Sequence, residues 1–301
     1  MNFIIIALAI ISSSLCVNAY HKIKKPLPQQ PAWLYRLNYA SIIATSYIII
    51  EAFNVAAFLT IAVIATLITK GVTSLMSHKG KSPSKDSVMV ELSHDVWLFL
   101  LVLWAIRTFA YDYSPIPSGS MEPTLYAGDV IAINKLSYQV KIPPLENPLF
   151  TFNTPKPGDV VVLNSPINPQ DFYIKRIIAG PGDHVLYKNK QYFVNGKLYE
   201  QTNKSFDTSV NNDKPMLLTA DEKIGNVTHK IQLDNRQFDD IISIEVPEGH
   251  YFISGDNRDF SLDSRTFGPI PEKLIVGKAT HLITQLTLPT LLSFKRSGTI
   301  Y

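Results

Sequence analysis

The sequence has few cysteines and few charged residues, and each of these shortages excludes certain structures or partners. Its 301 residues include one cysteine, Cys16, so no disulfide can form within the chain. Charged residues make up 18% and apolar residues 46% of the chain, which is little charge for a soluble protein. A formal net charge of +3 is too small and too scattered to indicate nucleic acid as a partner.

Motifs of several common chemistries are missing as well. Neither CxxC nor HExxH occurs, and no Cys/His cluster has ligand spacing, so we expect no metal and no cofactor. The GxSxG turn of α/β hydrolases is absent, and none of the seven histidines stands in a motif with a serine. The sequence therefore does not support a Ser-His-Asp triad, although the three residues of a triad need to be close only in the folded structure and not in the sequence.

Three long apolar stretches precede residue 112. They cover about residues 2–20, 37–69 and 96–111. The first has no charge and is long enough to cross a bilayer as a helix, with a cleaved signal peptide as the alternative. The second contains Glu51 and either spans the bilayer or forms a re-entrant hairpin. The third contains Arg107 near its end, where a long side chain can reach the headgroups. We therefore expect residues 1–111 to be a membrane region.

Basic residues in the polar links predict the orientation of the chain. The link 21–36 contains three lysines and an arginine but no acidic residue, and the link 70–95 contains four lysines. The positive-inside rule assigns such links to the cytoplasm. Everything after Tyr111 then lies outside the cytoplasm.

The remainder, residues 112–301, has the pattern of a mainly-β domain. Short runs rich in Val, Ile, Tyr and Phe are bounded by Gly, Pro, Asn and Asp, which indicates strands and turns. Asn195 and Gly196 lie between two such runs and predict a tight hairpin. Residues 200–240 are more polar and less patterned. We expect antiparallel sheets with a smaller inserted β-rich lobe at about residues 188–250.

Ser120 is a candidate nucleophile in "SPIPSGSMEPTLYAGD", residues 114–129. The stretch follows the third apolar segment and is rich in Pro, Gly and Ser. One interpretation is a tight turn that presents Ser120 at the membrane surface. The other is that the chain only needs small, kinked residues to leave the bilayer.

Lys175, in "DFYIKRIIAGPGD" (residues 171–183), is a candidate base. A free lysine has a pKa near 10.4 and is charged at pH 7, but burial in an apolar site lowers that pKa. Strand alternation places Lys175 on one face with Tyr173 and Ile177, while Arg176 points the other way to solvent or a carboxylate. The alternative is an ordinary lysine on an edge strand.

A third stretch, "SGDNRDFSLDSRTFGPIP", covers residues 254–271. Its Asp, Arg, Ser and Asn residues alternate within a loop bounded by glycines. By itself this pattern indicates a turn closed by ion pairs and Asx-type hydrogen bonds.

Together, four segments resemble bacterial type I signal peptidases, the membrane-bound serine proteases that remove signal peptides from exported preproteins. In chain order they are "IPSGSMEPTL", "GDVVVLNSP", "YIKRIIAGPGD" and "GDNRDFSLDSRTFGPIP". The resemblance implies a multi-pass protein of the bacterial cytoplasmic (inner) membrane, with its catalytic domain on the periplasmic side. Its partners would be preprotein signal peptides and the lipid bilayer, with neither nucleic acid nor metal.

The resemblance also implies a role for individual residues. Ser120 would be the nucleophile and Lys175 the general base of a Ser/Lys dyad that works through an acyl-enzyme. Ser118 and the Ser120 amide would form the oxyanion hole. Ser261 would hydrogen-bond and orient the lysine, with Asp263 and Arg265 supporting the site. The pockets for small side chains at positions −1 and −3 would be lined by Ile116, Met121, Leu125, Tyr173 and Ile174.

This sequence departs from the family pattern at several positions. Glu122 stands where a neutral residue is frequent, Phe260 where Asn is frequent, and Ser114 where a bulkier residue borders the −3 pocket. The second apolar stretch is additional to the two membrane helices of the familiar enterobacterial form. None of these departures touches Ser120 or Lys175.

Two other functions are compatible with parts of the pattern. A self-cleaving protein of the repressor type also has a Ser/Lys site, but it would have a helix-turn-helix region instead of membrane segments. A catalytically inactive, membrane-anchored β-rich binding module would be expected to have lost Ser120 or Lys175, and both residues are present.

Overall fold

The computed structural model describes residues 55–78, 97–140, 148–168, 171–206, 217–234, 241–285 and 293–301. The chain forms two compact units, Met1–Thr108 and Phe109–Tyr301.

Two helices are described in the first unit. Helix α1 covers Val55–His78, and helix α2 covers Trp97–Ala105 and continues as a π-helical turn over Ile106–Ala110. The helices contact each other through polar groups on an otherwise apolar surface. The Trp104 indole N–H donates to Thr60 Oγ1 over 3.0 Å, and Lys70 Nζ lies 3.5 Å from the centre of the Trp97 ring. A cation over an aromatic face is attracted by the ring quadrupole.

The predicted apolar stretches correspond only in part to these helices. The stretch 2–20 and the first half of 37–69 lie outside the described residues. Helix α1 continues past residue 69 to His78, and α2 has only nine residues before the π-helical turn, because the chain enters a strand at Tyr111. Within the described ranges, no helix combines the length and apolarity needed to span a membrane.

The second unit is built mainly from β-strands. In chain order, its strands are β1 (Tyr111–Pro115), β2 (Asp129–Asn134), β3 (Gln139–Val140), β4 (Phe150–Thr151), β5 (Val160–Asn164), β6 (Phe172–Ala179), β7 (His184–Lys188), β8 (Gln191–Val194), β9 (Lys197–Leu198), β10 (Gln201–Phe206), β11 (Leu217–Ile224), β12 (Val227–Asp234), β13 (Ile242–Glu245), β14 (His250–Ser254), β15 (Ile270–Pro271), β16 (Ile275–Gln285) and β17 (Gly298–Thr299). One short helix, α3, covers Ser264–Phe267, and 3₁₀ turns cover Lys135–Ser137, Arg258–Phe260 and Glu272–Leu274. The prediction of a mainly-β domain is confirmed.

The largest sheet is antiparallel and runs in the order β1-β2-β16-β5-β6-β14-β15, with β17 added beside β16. Its centre is apolar on both faces. Val160 and Val162 of β5 pack into one core cluster, and Val161 and Leu163 pack into another. Such a continuous apolar run is expected where a strand is covered on both sides. Strand β6, which carries Lys175, pairs with β5 throughout this buried centre.

The lobe between β6 and β14 consists of two small antiparallel sheets, β13-β7-β8-β9 and β10-β11-β12. The predicted hairpin at Asn195 and Gly196 joins β8 to β9, and both residues have positive φ, at 53° and 77°. These values suit a two-residue turn whose twist matches the paired strands. The inserted lobe is therefore β-rich, as predicted.

Candidate active site

Ser120 lies in a turn whose ends are tied to each other. The turn leaves β1 and returns to β2, and the two strands pair antiparallel. At its neck the Ile116 N–H donates to Asp129 O over 2.8 Å, and the Gly128 N–H donates to Ile116 O over 2.9 Å. The turn that carries Ser120 is therefore closed by its own backbone hydrogen bonds.

Lys175 is the side chain that meets Ser120. Its Nζ lies 2.8 Å from Ser120 Oγ, to which it donates, and it also donates to Ile174 O over 3.1 Å. Lys175 is only 4% exposed, although it follows an exposed Phe172 on the same strand. The strand alternation expected from the sequence holds, because Tyr173 shares the face of Lys175 and its ring centre is 5.4 Å from Nζ.

The surroundings of Lys175 lower its pKa to about 8, chiefly because burial disfavours the charged ammonium. The carboxylates of Asp263 and Asp256 act against this shift, and the Arg265 guanidinium adds to it. At pH 7 about a tenth of a group with this pKa is neutral. A neutral amine 2.8 Å from a serine hydroxyl can accept its proton.

The loop after β14 packs on the backbone of the Ser120 turn. The Asn257 N–H donates to Ser120 O over 3.1 Å, and Asn257 Nδ2 donates to Gly119 O over 3.0 Å. Gly255 allows this approach, since a Cβ atom there would overlap both Ser120 O and the Ser261 side chain. Any side chain at position 255 would push the loop away from the nucleophile.

Asp263 anchors the far end of the same loop. Its carboxylate caps α3, accepting from the Arg265 N–H over 3.2 Å, and it also accepts from the Gly255 N–H over 2.9 Å. Arg265 Nε and Nη2 donate to the two Asp263 oxygens over 2.9 and 2.8 Å. Burial alone would raise the pKa of Asp263, but the bonds and charge of Arg265 outweigh it and hold that pKa below its usual value. Asp263 and Arg265 are thus a charged pair that fixes the loop.

Ser261 differs from the sequence expectation in its contacts. Its Oγ is buried against Gly255 and forms no well-aligned hydrogen bond within the described part of the chain, although it lies close enough to the Asp263 carboxylate to help lower the pKa of that group. Lys175 Nζ is instead held by Ser120 and by the Ile174 carbonyl. The predicted hydrogen bond from Ser261 to Lys175 is therefore not formed in this structure.

A cleft of about 250 Å³ opens at Ser120 and Lys175. The predicted pocket residues Ile116, Met121, Tyr173 and Ile174 line it, as does the exposed Ser118; the remaining lining residues are Pro117, Phe172, Phe260 and Leu262. Leu125 is not among the lining residues. It is 1% exposed and packs in the core cluster that contains Ile116 and Met121.

Comparison with known proteins identifies the family. The model of the family described as "Signal peptidase, peptidase S26" matches residues 89–284. The chain belongs to the S26 signal peptidase family. As a member of that family, it is a serine endopeptidase.

Individual relatives agree with this assignment. Signal peptidase I of Pseudomonas aeruginosa is 33% identical over 238 residues, which cover 72% of this chain and 81% of the relative. Signal peptidase I of Aquifex aeolicus is 34% identical and covers 65% of this chain and 85% of its own. A crystal structure of a signal peptidase I from Enterococcus faecalis V583 is 26% identical and covers 43% of this chain and 100% of its own; its TM-score of 0.28 is too low to bear on the fold.

Behind the cleft, this signal peptidase contains a buried cluster of charges. The Arg176 guanidinium donates to both Asp256 oxygens over 2.8 and 2.7 Å, and both residues are buried. Thr124 Oγ1, from the Ser120 turn, donates to Asp256 Oδ2 over 2.5 Å. The sequence allowed Arg176 to face either solvent or a carboxylate. In the structure, Arg176 pairs with the carboxylate of Asp256.

The same cluster reaches the lobe. Arg258 Nη1 donates to Glu222 Oε1 over 2.9 Å, and Nη2 donates to Oε2 of the same carboxylate. His229, on β12, lies 3.6 Å from both Glu222 and Asp256, and neither of its ring nitrogens has a hydrogen-bond partner among the described residues. The loop after β14 is also hydrogen-bonded directly to strand β12, because the Gln232 N–H donates to Asp256 O over 2.9 Å. The lobe and the site loop are therefore one packed structure.

Sequence reasoning missed several residues that shape the site. Asn257 and Gly255 stand in "SGDNRD", where the pattern indicated only a turn, and their contacts with the Ser120 turn are long-range. Phe260 departs from the family pattern and Leu262 belongs to no predicted site, although both flank Ser261 in the sequence. That alternation was a usable signal, because it places Phe260 and Leu262 on the side opposite to a buried Ser261.

Proposed function

We propose that this protein cleaves signal peptides from exported preproteins with Ser120 as nucleophile and Lys175 as general base. The observation that carries the proposal is the 2.8 Å contact between Ser120 Oγ and a buried Lys175 Nζ whose pKa is lowered to about 8. A lysine with that pKa has a useful neutral fraction at physiological pH, which an exposed lysine lacks.

Acylation follows from this pair. Neutral Lys175 takes the proton of the Ser120 hydroxyl, and Oγ forms a bond to the carbonyl carbon at the cleavage site. The carbon–nitrogen bond then breaks, and the Lys175 ammonium gives its proton to the leaving amine. The resulting acyl-enzyme retains the signal peptide, and the mature segment departs.

The oxyanion hole would be formed by the Ser120 backbone N–H and the Ser118 hydroxyl. Ser118 is exposed and borders the cleft, so its hydroxyl is free to turn toward a substrate carbonyl. Each such donor typically contributes a few kcal/mol, about 100-fold or more in rate. Deacylation repeats the proton transfers, with Lys175 taking a proton from water and returning one to Ser120 Oγ.

The cleft also supports selection for small side chains. Its floor is formed by Ile116, Met121 and Ile174, all buried and apolar. A shallow floor of this kind rejects large side chains by steric overlap and needs no charged group to recognise alanine-like residues. We expect small residues at positions −1 and −3 of the substrate.

Membrane attachment is part of the same proposal. The apolar stretches at residues 2–20, 37–69 and 96–111 would anchor the protein in the bacterial inner membrane, with the catalytic domain on the periplasmic side. Protease added to sealed inside-out vesicles, which exposes only the cytoplasmic side, should leave residues 112–301 intact. Digestion of that domain in such vesicles would contradict the orientation.

The test of the catalytic roles compares wild type with Ser120→Ala and Lys175→Ala on a peptide that carries an Ala-X-Ala site. Each variant should lose at least a thousandfold in kcat/KM while its thermal unfolding stays close to wild type. Ser205→Ala and Lys204→Ala, at exposed neighbouring positions on β10, are matched controls and should keep full turnover.

Near-normal cleavage by either site variant would exclude the Ser/Lys mechanism. A wild-type protein that folds but cleaves no such peptide would instead favour the inactive binding module. Cleavage of the chain itself, with no cleavage of added peptide, would favour a self-cleaving protein.

A further inference from the structure

Two exposed apolar side chains line the cleft. No other part of the described chain buries them, so a bound molecule could. Phe260 is 47% exposed and Leu262 is 44% exposed, and both line the same cleft as Ser120 and Lys175. Large apolar side chains scattered singly on a surface need no explanation. These two are adjacent to a proposed catalytic pair and belong to a concave surface.

Their orientation follows from the backbone between them. Ser261 has φ −128° and ψ 125°, so the chain is extended there. In an extended chain, successive side chains point to opposite sides. Ser261 Oγ faces inward against Gly255, and Phe260 and Leu262 therefore both face outward into the cleft.

The position of this segment relative to the reacting atoms indicates which part of a substrate it meets. The loop that carries it contacts Ser120 O through Asn257, and its Asp263 and Asp256 are near enough to act on the charge of Lys175. Ile116, Pro117 and Ser118, which precede the nucleophile in the chain, also line the cleft. Ser118 therefore marks the oxyanion side of the cleft, and the loop with Phe260 and Leu262 belongs to the side of Lys175.

The chemistry of acylation then assigns the two sides. Lys175 must deliver its proton to the leaving amine, so the first residue after the scissile bond has to lie on the lysine side. The acyl portion, whose carbonyl oxygen faces Ser118, occupies the other side. Phe260 and Leu262 therefore border the leaving segment.

We propose that Phe260 and Leu262 form an apolar subsite for the first residue of the leaving segment, so that this enzyme prefers an apolar side chain directly after the cleavage site. The inference rests on the proposed Ser/Lys endopeptidase function and adds a determinant of specificity to it. The occupant is a segment of the preprotein substrate, because the subsite is continuous with the cleft that holds the scissile bond.

The test uses two peptides that are identical except at the first residue after the cleavage site, Leu in one and Asn in the other. These side chains are similar in shape, so the comparison isolates apolarity. Wild type should favour the Leu peptide by about tenfold in kcat/KM, the scale of an apolar pocket contact. In Phe260→Asn and in Leu262→Asn, that ratio should fall toward one.

The reaction supplies an internal control. Both peptides leave the same acyl-enzyme, so the rate at which that intermediate is hydrolysed must be the same for both, and the preference must appear in acylation. Phe206→Asn changes an aromatic residue of similar exposure on β10, and it should retain the wild-type ratio. A general loss of stability would lower both turnover rates together and leave the ratio unchanged.

The outcomes separate this inference from the proposed function. If neither peptide is cleaved, the proposed function fails. If both are cleaved equally by wild type, or if the Leu preference survives in both cleft variants, the subsite is overturned and the proposed function stands. Weaker binding of the two variants to phospholipid vesicles, with an unchanged Leu/Asn ratio, would identify the pair as a lipid contact and would also overturn it.

Discussion

Lys175 shows how one residue can be costly for folding and useful for catalysis. Burial lowers its pKa from 10.5 to about 8, and the nearby carboxylates of Asp263 and Asp256 oppose only part of that shift. A difference of this size corresponds to about 3 kcal/mol of free energy that the folded state must offset below pH 8. The surrounding apolar sheet supplies that stability, because β5 and β6 are buried on both faces.

The first prediction concerns the pH dependence of cleavage. Since only neutral Lys175 can accept the Ser120 proton, kcat/KM should rise with pH and level off above about pH 8. Lys175→Arg should be inactive at every pH, because its guanidinium stays protonated. Initial rates on the Ala-X-Ala peptide between pH 5 and pH 10 measure the profile. An acidic limb that levels off below pH 7 would contradict the assignment of Lys175 as base.

A second prediction concerns Gly255, where the loop touches the nucleophile turn. Gly255→Ala should reduce kcat by 100-fold or more, on the order of the loss from misplacing a reacting group by about 1 Å. The added methyl group would overlap Ser120 O and the Ser261 side chain. Gly180→Ala is the matched control, because its new Cβ would meet neighbours only at 3.8 Å. Equal activity of the two variants would exclude the packing role of Gly255.

At the scale of elements, the loop from Ser254 to Phe267 joins the nucleophile turn to the lobe. Asn257 holds the turn, Asp263 and Arg265 fix the loop, and Arg258 extends into the lobe to pair with Glu222. Breaking a buried ion pair by removing one charge is usually severe, because the other charge is left uncompensated. The placement of Ser120 thus depends on contacts with strands far away in the chain.

The third prediction tests that connection. Glu222→Gln should lower the free energy of unfolding by about 3–5 kcal/mol, because it leaves Arg258 buried without its counter-ion. Hydrogen exchange should accelerate across β11 and β12. Lys230→Gln removes a charge from the neighbouring strand, but its pair with Asp221 is exposed and should be worth less than about 1 kcal/mol. Similar unfolding temperatures for the two variants would contradict the role of the pair.

At the scale of the whole molecule, buried titratable groups determine how stability changes with acid. Burial lowers the pKa of His229 to about 4, against the opposing charges of Asp256 and Glu222. Between pH 6.5 and pH 4 the unfolded chain therefore binds a proton at His229 that the folded chain does not. Stability falls as pH falls through that window. Below it, Asp256, whose pKa the Arg176 pair holds near 2 against the effect of burial, continues the loss.

The fourth prediction follows from this loss of stability at acidic pH. Wild type should lose about 3 kcal/mol between pH 6.5 and pH 4 through His229, and His229→Leu should abolish this part of the slope. Thermal unfolding of the full chain in detergent across that range measures it. His281→Leu replaces an exposed histidine on β16 and should retain the wild-type slope. A His229→Leu variant as acid-sensitive as wild type would show that other groups are responsible.

Much of the fold and part of the site could be predicted from local sequence pattern. Strand alternation predicted that Lys175 and Arg176 face opposite ways, and turn chemistry predicted the Asn195–Gly196 hairpin. The identities of Ser120 and Lys175 as candidates came from residue type and from resemblance to a family. The apolar stretches were visible too, but the helix boundaries differ, because α1 continues to His78 and α2 ends in a π-helical turn.

By itself, the sequence determined the strand-rich character of the second unit and which residues alternate across its strands, since propensity and side-chain period are local properties. Only the tertiary structure decided which distant groups meet. It paired Arg176 with Asp256 across 80 positions, buried Leu125 in the core, joined Lys175 to Ser120 and not to Ser261, and placed Phe260 and Leu262 in the lining of the cleft at Ser120. Such contacts depend on how β6, β14 and the lobe pack together, and no local pattern contains that information.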